Sequence, residues 1–151
     1  MPTAQVIGVD LGGTAIKLAR IRADGTVLAE AQCPTPQPAV PGAVTMALCD
    51  AIEQIDPEHA AEAVGIGLPG PMDAAARVAR VCINLPGWED VPLADWLESR
   101  LNRRVTLAND GNCAVVGEAW LGAARGVDDV VLLTLGTCLL YTSPSPRDTV
   151  R

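Results

Sequence analysis

The chain has 151 residues, 49% hydrophobic and 19% charged, which is about one domain with enough apolar side chains for a core and excludes a disordered segment. A formal charge of −7 without a basic cluster argues against nucleic acid as a partner. No apolar run approaches the ~20 residues of a membrane span, Met1-Pro2-Thr3 opens no signal peptide, and five cysteines without CxxC spacing fit neither a disulfide framework nor a zinc site; reduced thiols and a cytoplasmic location are expected.

In chain order, residues 4–10 read as a buried strand, 15–22 as a second and 26–33 as a third. Leu11-Gly12-Gly13-Thr14 is too short for a crossover helix, and Asp24-Gly25 signals a hairpin, so the chain is expected to open as an antiparallel β-meander. A proline-rich connector, Cys33-Pro34 to Pro41-Gly42, follows. Val44, Ala47, Leu48, Ala51, Ile52 and Ile55 keep helical spacing up to Asp56-Pro57. Next come a strand over 63–68 stopped by Pro69-Gly70-Pro71, a strand over 77–83, and a short helix marked by Leu93, Trp96, Leu97 and Leu101. A strand over 105–108, a helix over 111–123 and a last strand over 130–135 complete the pattern. Three strands followed by alternating helices and strands predict an α/β domain with a mixed sheet.

The segment with most chemistry is Asp10-Leu11-Gly12-Gly13-Thr14-Ala15-Ile16-Lys17. Its glycines remove the Cβ atoms that would keep a large anion away from the backbone. A hydroxyl and the chain's sole lysine lie within a few residues. In P-loop and Rossmann proteins such a loop leads from a strand into a helix; here it joins two strands, so an anion would be held by hairpin amides. Downstream, Asp110 ends another apolar run and opens a helix. A carboxylate there suits either a general base acting on a hydroxyl or a helix cap. The amides of Asn84 and Asn109 supply both donor and acceptor, as a hydroxyl ligand requires, although Asn84 also fits an ordinary turn before Pro86-Gly87. Gly65 to Gly70 matches GxGxxG, but Pro69 and Pro71 bracket its last glycine, which argues against a dinucleotide site. His59, the only histidine, reads as a helix-end residue and Trp88 as core.

Asp10-Leu-Gly-Gly-Thr-Ala-Ile-Lys17, Gly67-Leu-Pro-Gly70, Asn84-Leu-Pro-Gly-Trp88, Asn109-Asp-Gly-Asn112 and Leu133-Thr-Leu-Gly-Thr137 occur in this order. Together they resemble the ROK family of sugar kinases and repressors, most closely its glucokinases, over nearly all of residues 5–137. The resemblance implies an actin-like (ribonuclease H-like) ATPase fold of two lobes, of which residues 1–137 correspond to the N-terminal lobe. Residues 138–151 read as a non-native tail, with the second lobe missing. By the same resemblance, Asp10, Gly12, Gly13, Thr14, Lys17, Gly136 and Thr137 would serve the nucleotide phosphates. Gly70, Asn84, Asn109 and Asp110 would serve the sugar, with Asp110 as the catalytic base. The implied activity is ATP-dependent phosphorylation of a hexose, glucose first, with Mg²⁺ held through water near Asp10. No metal-ligand residue is assigned in this chain, and zinc is expected only in the second lobe. N-acetylmannosamine or another hexose as acceptor, polyphosphate as donor, and a sugar-responsive repressor are the alternatives. The repressor is disfavoured because Asp10 leaves no room ahead of it for a helix-turn-helix. The implied partners are the hexose and ATP, with no nucleic acid or membrane, and a full-length protein is expected to be a homo-oligomer. The lone lobe is expected to be almost inactive.

Overall fold

The computed structural model describes residues 4–82 and 84–134. The chain opens with β1 (Gln5–Leu11), β2 (Ala15–Arg22) and β3 (Val27–Pro34), followed by helix α1 (Pro41–Ile55). Strand β4 (Ala63–Leu68) leads to a small hairpin of β5 (Ala79–Val81) and β6 (Glu89–Val91). Helix α2 (Leu93–Leu101), strand β7 (Arg104–Asn109) and helix α3 (Asp110–Leu121) follow. The main sheet has the order β3-β2-β1-β4-β7. β1, β2 and β3 pair antiparallel, whereas β4 runs parallel to β1 and β7 parallel to β4. The antiparallel opening and the mixed α/β sheet therefore match the expectation from the short links.

Alternation along the strands divides the sheet into two unlike faces. Ile7, Val9 and Leu11 of β1, Ile16 and Leu18 of β2, and Val64, Ile66 and Leu68 of β4 are buried on one of them. Val44, Leu48 and Ile52 of α1 and Leu93, Leu97 and Leu101 of α2 belong to the same apolar core. Gly8, Asp10, Lys17, Gly65 and Thr106 are exposed on the opposite face. This face keeps small and polar residues, and the N-terminal end of α3 approaches it at Gly67.

One buried polar anchor fixes the end of α1. Asp56 is fully buried and accepts hydrogen bonds from the Ala60 and Ala61 amides at 3.1 and 2.9 Å. Arg20 of β2 and Arg103, just before β7, pair with it at 2.6 and 2.7 Å. Burial alone would push this carboxyl up; the amides and the two guanidiniums outweigh it and hold the carboxyl below its ordinary value. Arg77 plays a similar tethering role at the surface, donating to Asp95 and Glu98 of α2.

Three expectations need correction. The strand over 77–83 shortens to Ala79–Val81 and pairs with β6, which has no sequence signal. Residues 130–134 form no strand, and Val131 and Leu133 are 88% and 82% exposed. These residues have strand propensity but no neighbouring strand among the described residues to take their backbone groups. Finally, α3 begins at Asp110, so Asn109 and not Asp110 is its cap.

Candidate functional site

β1, β4 and β7 run parallel, so their C-terminal ends share one edge of the sheet. Asp10 lies near the end of β1, Gly67 near the end of β4, and Asp110 immediately after β7. A cleft of about 470 Å³ opens there, lined by Asp10, Gly67, Asp110, Gly111 and Cys113 among others. Two carboxylates carried by different strand ends thus face one space. Gly67 lies against the start of α3: a Cβ on it would sit 3.4 Å from Cys113 Sγ and 3.6 Å from the Asp110 Cα, which is ordinary van der Waals contact. Asp110 is exposed as the first residue of α3, and one of its oxygens accepts from the Gly111 amide at 2.7 Å. Burial and then the negative charges of Asp110 and Asp10 push the Cys113 thiol up. Cys82 is pushed up to about 11, first by burial and then by Asp110, which brings the base of the β5–β6 turn within electrostatic reach of that carboxylate.

The glycine turn between β1 and β2 has two unlike glycines. The Gly12 amide donates to Ala15 O at 3.0 Å, and a Cβ on Gly12 would lie 2.9 Å from that same oxygen. Gly12 is therefore required by the turn itself. A Cβ on Gly13 would meet nothing within 4 Å. The fold therefore does not require glycine at that position, and the turn is open there. Gly13 and Thr14 are both exposed.

The family profile of the ROK family matches residues 6–139. The chain belongs to the ROK family. It is 39% identical over 137 residues to a glucokinase from Thermotoga maritima, covering 91% of this chain and 43% of that protein. Among solved structures, a ROK family glucokinase from Streptomyces griseus in complex with glucose and AMPPNP superimposes with a TM-score of 0.76 at 33% identity. That match covers 82% of this chain and 38% of the other. An inorganic polyphosphate/ATP-glucomannokinase from an Arthrobacter strain matches with a TM-score of 0.74 at 32% identity, over 82% of this chain and 51% of that one. The chain thus spans about two fifths of the length of the curated relative. The mixed sheet is that of ROK sugar kinases, the actin-like ATPase fold.

Within this ROK framework the other residues singled out by sequence have different fates. Lys17 is the cross-strand neighbour of Asp10, yet it lines a separate depression with Glu30 and Gln32 and not the Asp10–Asp110 cleft. Gly70 has φ +144, and a Cβ there would lie 1.9 Å from Val81 O; its smallness serves the packing of β5 against the end of β4. Asn109 spends its side chain on the fold. Its Oδ1 accepts from the Asn112 amide at 3.2 Å, capping α3, and its Nδ2 donates to Gly70 O at 3.3 Å. Asn84 is exposed in the β5–β6 turn, two residues beyond Cys82, and is not among the residues lining the cleft. Trp88 is buried and donates from Nε1 to Ala39 O at 2.8 Å, as a core residue should. His59 is exposed beyond α1 and pairs with Glu53 at 3.1 Å. Gly136 and Thr137 lie outside the described residues, as does the tail 138–151. Sequence reasoning missed Cys113, which lines the cleft three residues after Asp110, and Thr35 and Gln37, which hold the glycine turn; helical spacing from Asp110 is the only signal that points to the first.

Among the described residues no group of three His, Cys, Asp or Glu could hold a metal. A hydrated Mg²⁺ does not need one, since it keeps several waters and takes one or two carboxylates plus substrate phosphates. Asp10, whose carboxylate lines the cleft, fits that requirement. No helix among the described residues is long and apolar enough to cross a membrane.

Proposed function

We propose that this chain is the N-terminal lobe, residues 1–137, of an ATP-dependent hexose kinase, with glucose the first candidate substrate. The observation that carries the reading is that Asp10 and Asp110 face one cleft beside a glycine turn with open space at Gly13. Similarity to glucokinases, one of them a complex with glucose and AMPPNP, supports the same assignment.

Asp110 is the base. Its carboxylate takes the proton of a sugar hydroxyl while that oxygen forms a bond to the γ-phosphorus and the bond from phosphorus to the ADP oxygen breaks. Nothing in the fold masks it: it is exposed, and the capping duty at this helix end belongs to Asn109. Gly13 and Thr14 present backbone to the phosphates, and Asp10 would hold a hydrated Mg²⁺, which would supply neutralisation of the phosphate charge. The sugar lies toward the β5–β6 turn, which carries Asn84; Asn109 and Gly70 shape that wall through their mutual hydrogen bond. Cleft closure and the remaining phosphate contacts come from the part of the protein outside this chain.

A polyphosphate donor is the second reading, favoured by the likeness to the polyphosphate/ATP-glucomannokinase. The test joins residues 1–137 to the C-terminal portion of a ROK glucokinase. ADP or shortened polyphosphate is then measured with glucose, mannose, N-acetylglucosamine and N-acetylmannosamine. Glucose-dependent ADP formation supports the first reading, and transfer only from polyphosphate supports the second. A folded chimera active on no hexose refutes both.

A further inference from the structure

The proline-rich connector has no place in the proposed chemistry, yet it touches the glycine turn at three points. Thr35 Oγ1 donates to Gly12 O at 2.7 Å, Gln37 Nε2 donates to Gly13 O at 3.1 Å, and the Thr35 amide donates to Thr14 O at 2.9 Å. Three successive carbonyls of the turn are therefore held by a segment more than twenty residues away. We infer that residues 35–37 are a strap that orients the glycine turn, with Thr35 and Gln37 as positioning residues for the phosphate chain of the donor. This inference rests on the phosphate-binding role proposed above for the turn.

The argument follows from peptide geometry. In a trans peptide the C=O and the N–H of the next residue point to opposite sides. Pinning the carbonyls of Gly12 and Gly13 toward the strap turns the N–H groups of Gly13 and Thr14 away from it. Among the described residues these two amides have no acceptor, and the turn is open at Gly13. A turn with unheld carbonyls exchanges peptide orientations between its common types, and one flip would aim a carbonyl oxygen at the anion. The strap blocks that flip. Its own stiffness is written in the sequence: Thr35 precedes Pro36 and Gln37 precedes Pro38, and a residue before proline is biased to extended backbone. Pairing of Ala15 with Pro34 across β2 and β3 delivers the strap to the turn, and Thr35 is buried there at 3% exposure.

The test uses the ¹⁵N-labelled 151-residue chain, titrated with tripolyphosphate in the presence of Mg²⁺ while the Gly13 and Thr14 amide resonances are followed. The wild type should shift both. Thr35→Val should weaken binding about tenfold and Gln37→Ala about threefold, in line with the loss of one hydrogen bond each. Thr35→Ser, which keeps the donor, should stay within about twofold of wild type, a rescue that a purely packing role for Thr35 would not show. Glucose-induced shifts elsewhere should be the same in all variants. If Thr35→Val fails to fold, the exposed Gln37→Ala decides the matter. A wild type whose turn amides do not respond refutes the phosphate-binding reading and the strap with it. A responsive wild type with folded variants that bind equally well refutes the strap alone.

Discussion

Asp56 is the position where a single atom change should cost most without touching the candidate site. Asp56→Asn keeps the shape and removes the charge. The wild-type carboxylate is fully buried and takes four donors: two backbone amides and the guanidiniums of Arg20 and Arg103. Arg103 is 5% exposed and Arg20 21% exposed in their side chains, so neither gains much water when its partner is lost. Each guanidinium also has a buried Nε without an acceptor, which leaves them dependent on Asp56. Breaking a buried pair by removing one partner costs about 3–5 kcal/mol, against a domain stability of about 5–15 kcal/mol. At the usual conversion for this size, Tm should fall by about 10–20 °C. Urea and thermal unfolding followed by far-UV circular dichroism measure the difference. The pH dependence has a definite sign. The folded-state carboxyl lies below its ordinary value of 3.8, so its stabilisation is complete above that value and is lost as pH falls through the folded-state value. Wild type and variant should therefore converge in strong acid and differ fully at neutral pH. A difference of less than about 1 kcal/mol at pH 7 would refute the reasoning, since it would mean that the pair contributes no more than an exposed one.

The two turn glycines should separate on substitution. Gly13→Val should leave Tm within a few degrees of wild type and weaken Mg·ATP far more than sugar, whereas Gly12→Ala should destabilise the fold because its Cβ meets Ala15 O; calorimetry and ligand titration distinguish them, and equal loss for both ligands in Gly13→Val would indicate misfolding. Gly70→Ala combines positive φ with a clash against Val81 O and should cost more than about 1 kcal/mol in urea unfolding. Cys113 should react slowly with iodoacetamide at pH 7 and faster as pH rises past 9, because burial and the two nearby carboxylates favour its neutral thiol; fast alkylation at neutral pH would place it outside the Asp10–Asp110 field.

The elements that sequence patterning identifies are those whose cause is local. The four-residue link Leu11-Gly12-Gly13-Thr14 forces an antiparallel turn, and the apolar run from Ala63 to Leu68 ends at Pro69 in the structure as it does on paper. β6 is not legible, because Glu89-Asp90-Val91 has neither alternation nor strand propensity and exists only through its pairing with β5. The run at 130–133 fails in the opposite sense, having propensity without a neighbouring strand among the described residues. At the site, Asp10 and Asp110 meet because the parallel order β1-β4-β7 gathers strand ends. The family's ordered motifs foreshadow that meeting, and no single spacing does. Asn109 and Gly70 show where local reasoning stops: an amide committed to a cap, or a glycine demanded by a distant carbonyl, looks the same in sequence as one kept for a ligand. Thr35 and Gln37 are illegible for a similar reason, since their partners lie 23 and 24 residues away.

The central claim is that Asp110 is a general base and not a structural acid. It is tested most directly by Asp110→Asn in the chimera that completes the enzyme. The fold should hardly notice, because the helix cap belongs to Asn109 and Asp110 is exposed. Glucose and Mg·ATP affinities should change little, while kcat should fall by roughly 10²–10⁴-fold, the usual worth of a positioned base. A kcat within about threefold of wild type, with unchanged stability, would contradict the account and leave Asp110 as one more acid at a helix start.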